Sequence, residues 1–94
     1  MEKRPEMKLK IGNDELKGVY ANQIAIMHSK DDFAIDFITA FPPEAVVNCR
    51  IITNPVALKR MLHALTINLT KYEEQFGTIK IDGDNGGPSG EVIN

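Results

Sequence analysis

Apolar and polar positions alternate with a period of two along three segments in the first part of the chain. These segments cover residues 20–28, 33–41 and 45–52. The tetrapeptide Ser29-Lys30-Asp31-Asp32 has turn composition, and Pro42-Pro43 cannot continue a central strand. The pattern therefore predicts three antiparallel strands joined in a meander.

Two weaker segments extend this prediction. Residues 7–11 precede the turn signal Gly12-Asn13-Asp14 and alternate well enough for an early strand. Residues 78–81, Thr-Ile-Lys-Ile, have the composition of a short edge strand. The sheet is therefore expected to hold three to five strands.

After the third strand the hydrophobic period becomes helical. Asn54 followed by Pro55 predicts a helix start, because Asn accepts a hydrogen bond from an orphan amide and Pro suits the first turn. Gly77 predicts the helix end. Between them an apolar stripe recurs at steps of four and three: Leu58, Leu62, Leu65, Leu69, Tyr72 and Phe76. This predicts an amphipathic helix of about six turns, whose stripe contributes about 10 kcal/mol as an upper bound when buried on a sheet.

The predicted fold class is therefore α+β: an antiparallel sheet of three to five strands in a meander, followed by one long amphipathic helix packed on one face. The chain has 94 residues, which fits one domain. Residues 1–6 are charged and unpatterned, and residues 82–94 are rich in Gly, Asp and Asn. We expect both ends to be flexible tails around a single domain at residues 7–81.

The alternation assigns the strand residues to two faces. The more apolar face is called the helix-side face and is expected to receive the helix. It carries Tyr20, Ile24, Ile26, Phe33, Ile35, Phe37, Val47, Cys49 and Ile51.

The opposite face of the sheet, called the second face, is more apolar than a solvated face needs to be, yet it includes a polar cluster. Turns centred on Lys30-Asp31 and on Pro43 would place Asp36 across from Arg50 and Asn48 across from Ile38. The candidate interface or ligand face consists of Gln23, Asp36, Ile38, Asn48 and Arg50. A self-pairing interface and a partly solvated face with one ordinary ion pair both fit this composition.

Several motifs, taken in order, are similar to those of a known family. They are Tyr20-Ala-Asn-Gln-Ile-Ala-Ile-Met-His-Ser29, Asp32-Phe-Ala-Ile-Asp-Phe37, Pro42-Pro43, Arg50-Ile-Ile-Thr-Asn-Pro55, Leu62 and Tyr72-Glu-Glu-Gln-Phe-Gly77. Over residues 16–78 the chain resembles the short prokaryotic proteins grouped as domain of unknown function 3467. The resemblance supports the fold and implies no activity, cofactor or catalytic residue.

Charge and cysteine content restrict the compartment and the partners. There are 11 Lys and Arg against 13 Asp and Glu, a net charge of −2 that does not favour nucleic acid binding. The basic residues near the start, Lys3, Arg4, Lys8 and Lys10, are interpreted as solubilising. A single cysteine fits a reducing compartment, and no apolar run suits a membrane span or a signal peptide. We therefore expect a cytoplasmic protein that does not enter a membrane.

Candidate chemistry is sparse. Cys49 alternates with Val47 and Ile51, so it is expected to be a small core residue rather than a nucleophile. His28 and His63 lack the close spacing of metal ligands. The sequence therefore predicts no catalytic residue, no metal site and no cofactor, and a protein that is not an enzyme.

Three functional classes are left by this reasoning. The first is a non-catalytic interaction or regulatory module that self-associates, as a dimer, and binds a further protein of unknown identity. The second is a nucleic-acid accessory protein that uses the basic start with Lys59, Arg60 and Lys71. The third is a small-ligand binder that uses the Asp36–Arg50–Asn48 cluster.

Overall fold

The structure is a computed structural model that describes residues 6–81. Its elements in chain order are α1 (Asn13–Lys17), β1 (Gln23–His28), β2 (Phe33–Phe41), β3 (Glu44–Thr53) and α2 (Pro55–Phe76). The strands form one antiparallel sheet in the order β1-β2-β3. The predicted α+β meander followed by one long helix is confirmed.

Both hairpin turns occur where the composition predicted them. In the first, the amide of Ser29 donates to the carbonyl of Asp32 over 2.9 Å. The second contains a cis peptide bond between Pro42 and Pro43. The first turn places Ala25 opposite Asp36. The second places Asp36 opposite Arg50, which is the pairing predicted from the turn positions.

A β-bulge shifts the pairing of β2 with β3 between Phe37 and Ile38. Phe37 lies opposite Cys49, but the next residue of β2, Ile38, lies opposite Val47, so β3 carries Asn48 as an extra residue. Partners across a ladder share a face, so Val47 joins Ile38 on the second face. The predicted pairing of Asn48 with Ile38 and the predicted place of Val47 on the helix-side face are therefore wrong. A strict alternation of two faces cannot predict an extra residue inserted into one strand.

The boundaries of α2 follow the predicted capping residues. The side chain of Asn54 accepts a hydrogen bond from the amide of Ala57 at 2.7 Å, and Pro55 is the first helical residue. At the other end, Gly77 has a φ of 102° and its amide donates to the carbonyl of Glu73. A positive φ disfavours residues with a Cβ, which is why Gly ends this helix.

Neither of the two weaker predicted strands is present in the described part of the chain. Residues 7–11 are exposed and irregular, and α1 begins at the predicted turn. Residues 78–81 are also irregular, and the amide of Ile79 donates to the carboxylate of Glu73 instead of to a strand. Of the two predicted tails, 1–6 and 82–94, only Glu6 lies within the described residues.

The apolar stripe is the least buried part of the fold. The helix packs toward the sheet through its first turns, where Leu58 and Met61 are half-buried. Farther along, Leu65 and Leu69 are each 48% exposed and Phe76 is 65% exposed. No residue of α2 is buried, and the buried apolar side chains of residues 6–81 are Ala25, Ile35 and Ile38. The direction of the predicted packing is right, but one copy covers only part of the stripe.

Candidate functional site

The second face holds one well-formed ion pair. The Nε of Arg50 donates to Asp36 Oδ1 over 2.6 Å, and its Nη2 donates to Asp36 Oδ2 over 2.9 Å. Asp36 is 5% exposed at the centre of the sheet, whereas the Arg50 side chain is 56% exposed on the edge strand β3. The planar guanidinium matches both carboxylate oxygens, which makes this one of the stronger polar contacts available to a protein.

The electrostatics of this pair favour its charged form. The hydrogen bonds from Arg50 lower the pKa of Asp36 below its ordinary value of 3.8, since their effect and the positive charge of Arg50 outweigh the partial desolvation of the carboxylate. The same contacts raise the pKa of Arg50. A carboxylate held ionised and occupied by a fork of donors is poorly suited to proton transfer near neutral pH.

Asn48 belongs to a different polar group from the one predicted. Its side-chain amide donates to the carbonyl of Tyr20 over 2.7 Å and to the hydroxyl of Thr39. Thr39 also donates to Tyr20, so these contacts hold the segment before β1 against β2. The bulge directs Asn48 away from Asp36 and Arg50, and the three-residue cluster predicted from alternation does not form.

The other two candidate residues lie opposite each other on the second face. Ile38 is buried, with 8% of its surface exposed, while its partner Gln23 is exposed. Beyond them, Ile52 on the same face is 62% exposed. The structure therefore brings Gln23, Asp36, Ile38 and Arg50 onto one face, and leaves Asn48 out.

An apolar cleft that the sequence did not predict lies between α2 and the helix-side face. It has a volume of ≈ 420 Å³ and is lined by Ile26, Phe33, Pro55, Leu58, Lys59, Met61, Leu62 and Leu65. All of these except Lys59 and Pro55 are large apolar residues, and the sequence placed Leu58, Leu62 and Leu65 against the same face. Periodicity gives the face of α2 that meets the sheet but not how closely the two approach, and the structure leaves this cleft between them.

A family model described as "Protein of unknown function (DUF3467)" matches residues 1–81. The chain belongs to this family. No curated protein and no solved structure is significantly similar to it.

Membership of the DUF3467 family covers every element of the fold, since the match runs past α2 and ends at Ile81. The family description names no activity. Any function for this DUF3467 member must therefore be argued from its own surfaces.

The remaining chemistry-bearing residues of this family member are dispersed. Cys49 is a free, half-buried thiol on the helix-side face. His28 lies against the ring of Phe33, with centroids 5.4 Å apart, and His63 is exposed on α2. Within residues 6–81, His, Cys, Asp and Glu nowhere form a group of three able to hold a metal ion. In the same range no helix has both the length and the apolar character to span a bilayer.

Proposed function

We propose that this chain is a non-catalytic protein-interaction module that works as a homo-oligomer, with the dimer as its simplest form. The observation that carries the proposal is the apolar surface that one copy leaves uncovered. The apolar stripe of α2 remains about half exposed or more from Leu62 to Phe76. Large exposed apolar patches are typical of interaction surfaces, and small domains often gain stability by association.

The limited core of one copy gives the proposal a physical reason. A sheet face and an amphipathic helix are each stable only when a second layer covers them. Here the helix is anchored at its first turns but has no buried residue. A second layer supplied by another molecule would remove the exposed apolar area from water at about 25 cal/mol per Å².

The Asp36–Arg50 pair supports the non-catalytic part of the proposal. Its donors and acceptors are directed at each other, and the lowered pKa of Asp36 keeps the carboxylate ionised. A pair of this kind links β2 to β3, and this structural role accounts for both residues without a substrate.

Light scattering on the wild-type chain across a dilution series tests the proposal. We expect a molar mass of twice 10.5 kDa at high concentration, falling toward the single-chain value on dilution. A mass of one chain at every concentration would contradict self-association. The measurement should be repeated at low and high salt. Binding to a phosphate backbone weakens steeply as salt is added, whereas association through apolar surface should not.

A further inference from the structure

We infer that the occupant of the incompletely covered helix-side face is the α2 helix of a second copy, with each copy placing its apolar stripe on the sheet of the other. This inference rests on the proposed self-association and specifies its surface. It differs from an interface built on the second face, which the Asp36–Arg50 cluster suggested from sequence.

The dimensions of the elements suit this exchange. A helix of 22 residues is about 33 Å long at 1.5 Å per residue. The central strand, with nine residues, spans about 30 Å. One helix can therefore cover a sheet of this kind along its full length, while the chain's own helix meets its own sheet only through its first turns.

The exposed area matches what a stable dimer needs. Five stripe residues, Leu62, Leu65, Leu69, Tyr72 and Phe76, are between 48% and 65% exposed. On the sheet, Ile24 is 47% exposed and Ile51 is 44% exposed. With about 200 Å² for a large apolar residue, these fractions leave about 700 Å² per copy, near the roughly 800 Å² that each partner buries in a specific interface.

A second copy is the occupant that satisfies both surfaces at once. Each chain has an uncovered stripe and an incompletely covered sheet, so a two-fold axis would let each supply what the other lacks in one closed, isologous contact. The centre of the helix-side face is uncharged, with Ile24, Ile35 and Phe37 beside Cys49 and Ile51. It can thus receive an apolar helix without burying an unpaired charge.

The test compares three lysine substitutions by light scattering. Leu69→Lys places a charge in the stripe at a residue that is 48% exposed in one copy, so it need not damage a single folded chain. Thr70→Lys adds the same charge to the next residue, off the stripe, and Ile52→Lys adds it to an exposed residue of the second face. We expect Leu69→Lys to weaken dimerisation by at least about 100-fold, while the other two retain the wild-type mass.

A disulfide test covers the case in which Leu69→Lys fails to fold. Leu69→Cys and the control Thr70→Cys are oxidised with oxidised glutathione and run on a non-reducing gel, using Cys49 of the helix-side face as the partner thiol. We expect Leu69→Cys to give a species of dimer mass that disappears when Cys49→Ser is added. Thr70→Cys should give none.

Each other outcome has a definite meaning. Dissociation by Ile52→Lys but not by Leu69→Lys would overturn the helix exchange, place the interface on the second face and leave the proposed self-association standing. A Cys49-dependent link at monomer mass would show that the chain's own helix closes on its own sheet, and would also overturn the exchange. The exchange would also be overturned if the Leu69→Cys disulfide formed equally in the absence of Cys49. It would be overturned as well if Leu69→Cys formed no disulfide while the protein remained a dimer. A monomeric wild type would contradict both proposals.

Discussion

At the scale of single residues, the Asp36–Arg50 contact is the best-defined polar feature of this DUF3467 member. The register of two hairpins brings a buried carboxylate on the central strand opposite a guanidinium on the edge strand. The pair thereby satisfies a polar group that would otherwise be costly to bury. The neighbouring Asn48, diverted by the bulge, instead anchors the segment before β1.

The pair predicts a pH dependence of stability. Because the folded chain lowers the pKa of Asp36 below 3.8, the carboxylate binds its proton more weakly when folded than when unfolded. Its stabilising contribution is therefore fully present well above the unfolded value of 3.8 and is lost as the pH falls through the lowered folded pKa. Urea unfolding between pH 7 and pH 2 should show stability declining with acid in the wild type.

Asp36→Asn is the variant that isolates this contribution. We expect its unfolding free energy to be lower than that of the wild type at pH 7 and the difference to shrink as the pH falls. Asp31→Asn, in the exposed first turn, is the matched control and should keep the wild-type profile. A constant difference between Asp36→Asn and the wild type at all pH values would mean that the pair does not contribute as a charged contact.

At the scale of elements, local signals are strongest for α2. Its first residue, its last residue and its apolar stripe follow from Asn54, Pro55 and Gly77 together with a 3.6-residue period. The weaker strand signals at residues 7–11 and 78–81 did not produce strands, because alternation alone does not supply a neighbouring strand to bond with. The β-bulge is likewise invisible to periodicity, although it decides where Asn48 and Val47 lie.

The cap at Asn54 gives a prediction at this scale. Asn54→Ala removes the side-chain oxygen that accepts from the Ala57 amide and should lower the unfolding free energy by about 1 kcal/mol. Asn54→Asp retains an acceptor and should recover most of the loss. Thermal unfolding followed by circular dichroism at 222 nm measures both, and equal stability of Asn54→Ala and the wild type would show that the cap contributes nothing.

At the scale of the whole molecule, the notable property is that residues 6–81 provide elements whose apolar surfaces they do not themselves cover. The strands and the helix were predictable, and so was the side on which the helix packs. How far the helix closes over the sheet was not, because that depends on the angle between α2 and β3 and on side chains far apart in sequence. The proposed interface differs from the predicted one for the same reason: it lies on the stripe and the cleft instead of on the second face.

Association predicts that stability depends on protein concentration. Dimerisation involves folded chains and not unfolded ones, so it stabilises the folded state more as the protein concentration rises. The melting temperature of a dimer should therefore increase with concentration, whereas that of a monomer is constant. Scanning calorimetry over a hundred-fold concentration range measures this. A melting temperature independent of concentration would contradict a dimer that dissociates on unfolding.

Leu65→Ala refines the same prediction. Leu65 is 48% exposed in one copy, so truncating it should have a modest effect on a lone chain. If the second copy buries it, the loss should reach about 2–5 kcal/mol per chain, the cost of truncating a core leucine. Denaturant unfolding at high and low protein concentration separates the two. An equally small effect at both concentrations would mean that Leu65 lies outside the interface.

The sequence by itself determined the three strands, the long helix, and where that helix begins and ends. It did so because side-chain periodicity, turn residues and helix caps act over a few neighbouring positions. It also determined the Asp36–Arg50 pairing, since turn positions set the register of adjacent antiparallel strands. Only the tertiary structure decided the bulge at Asn48, the absence of the outer strands among residues 6–81 and the incomplete cover of the apolar stripe. These depend on contacts between residues distant in the chain, whose geometry no local pattern contains.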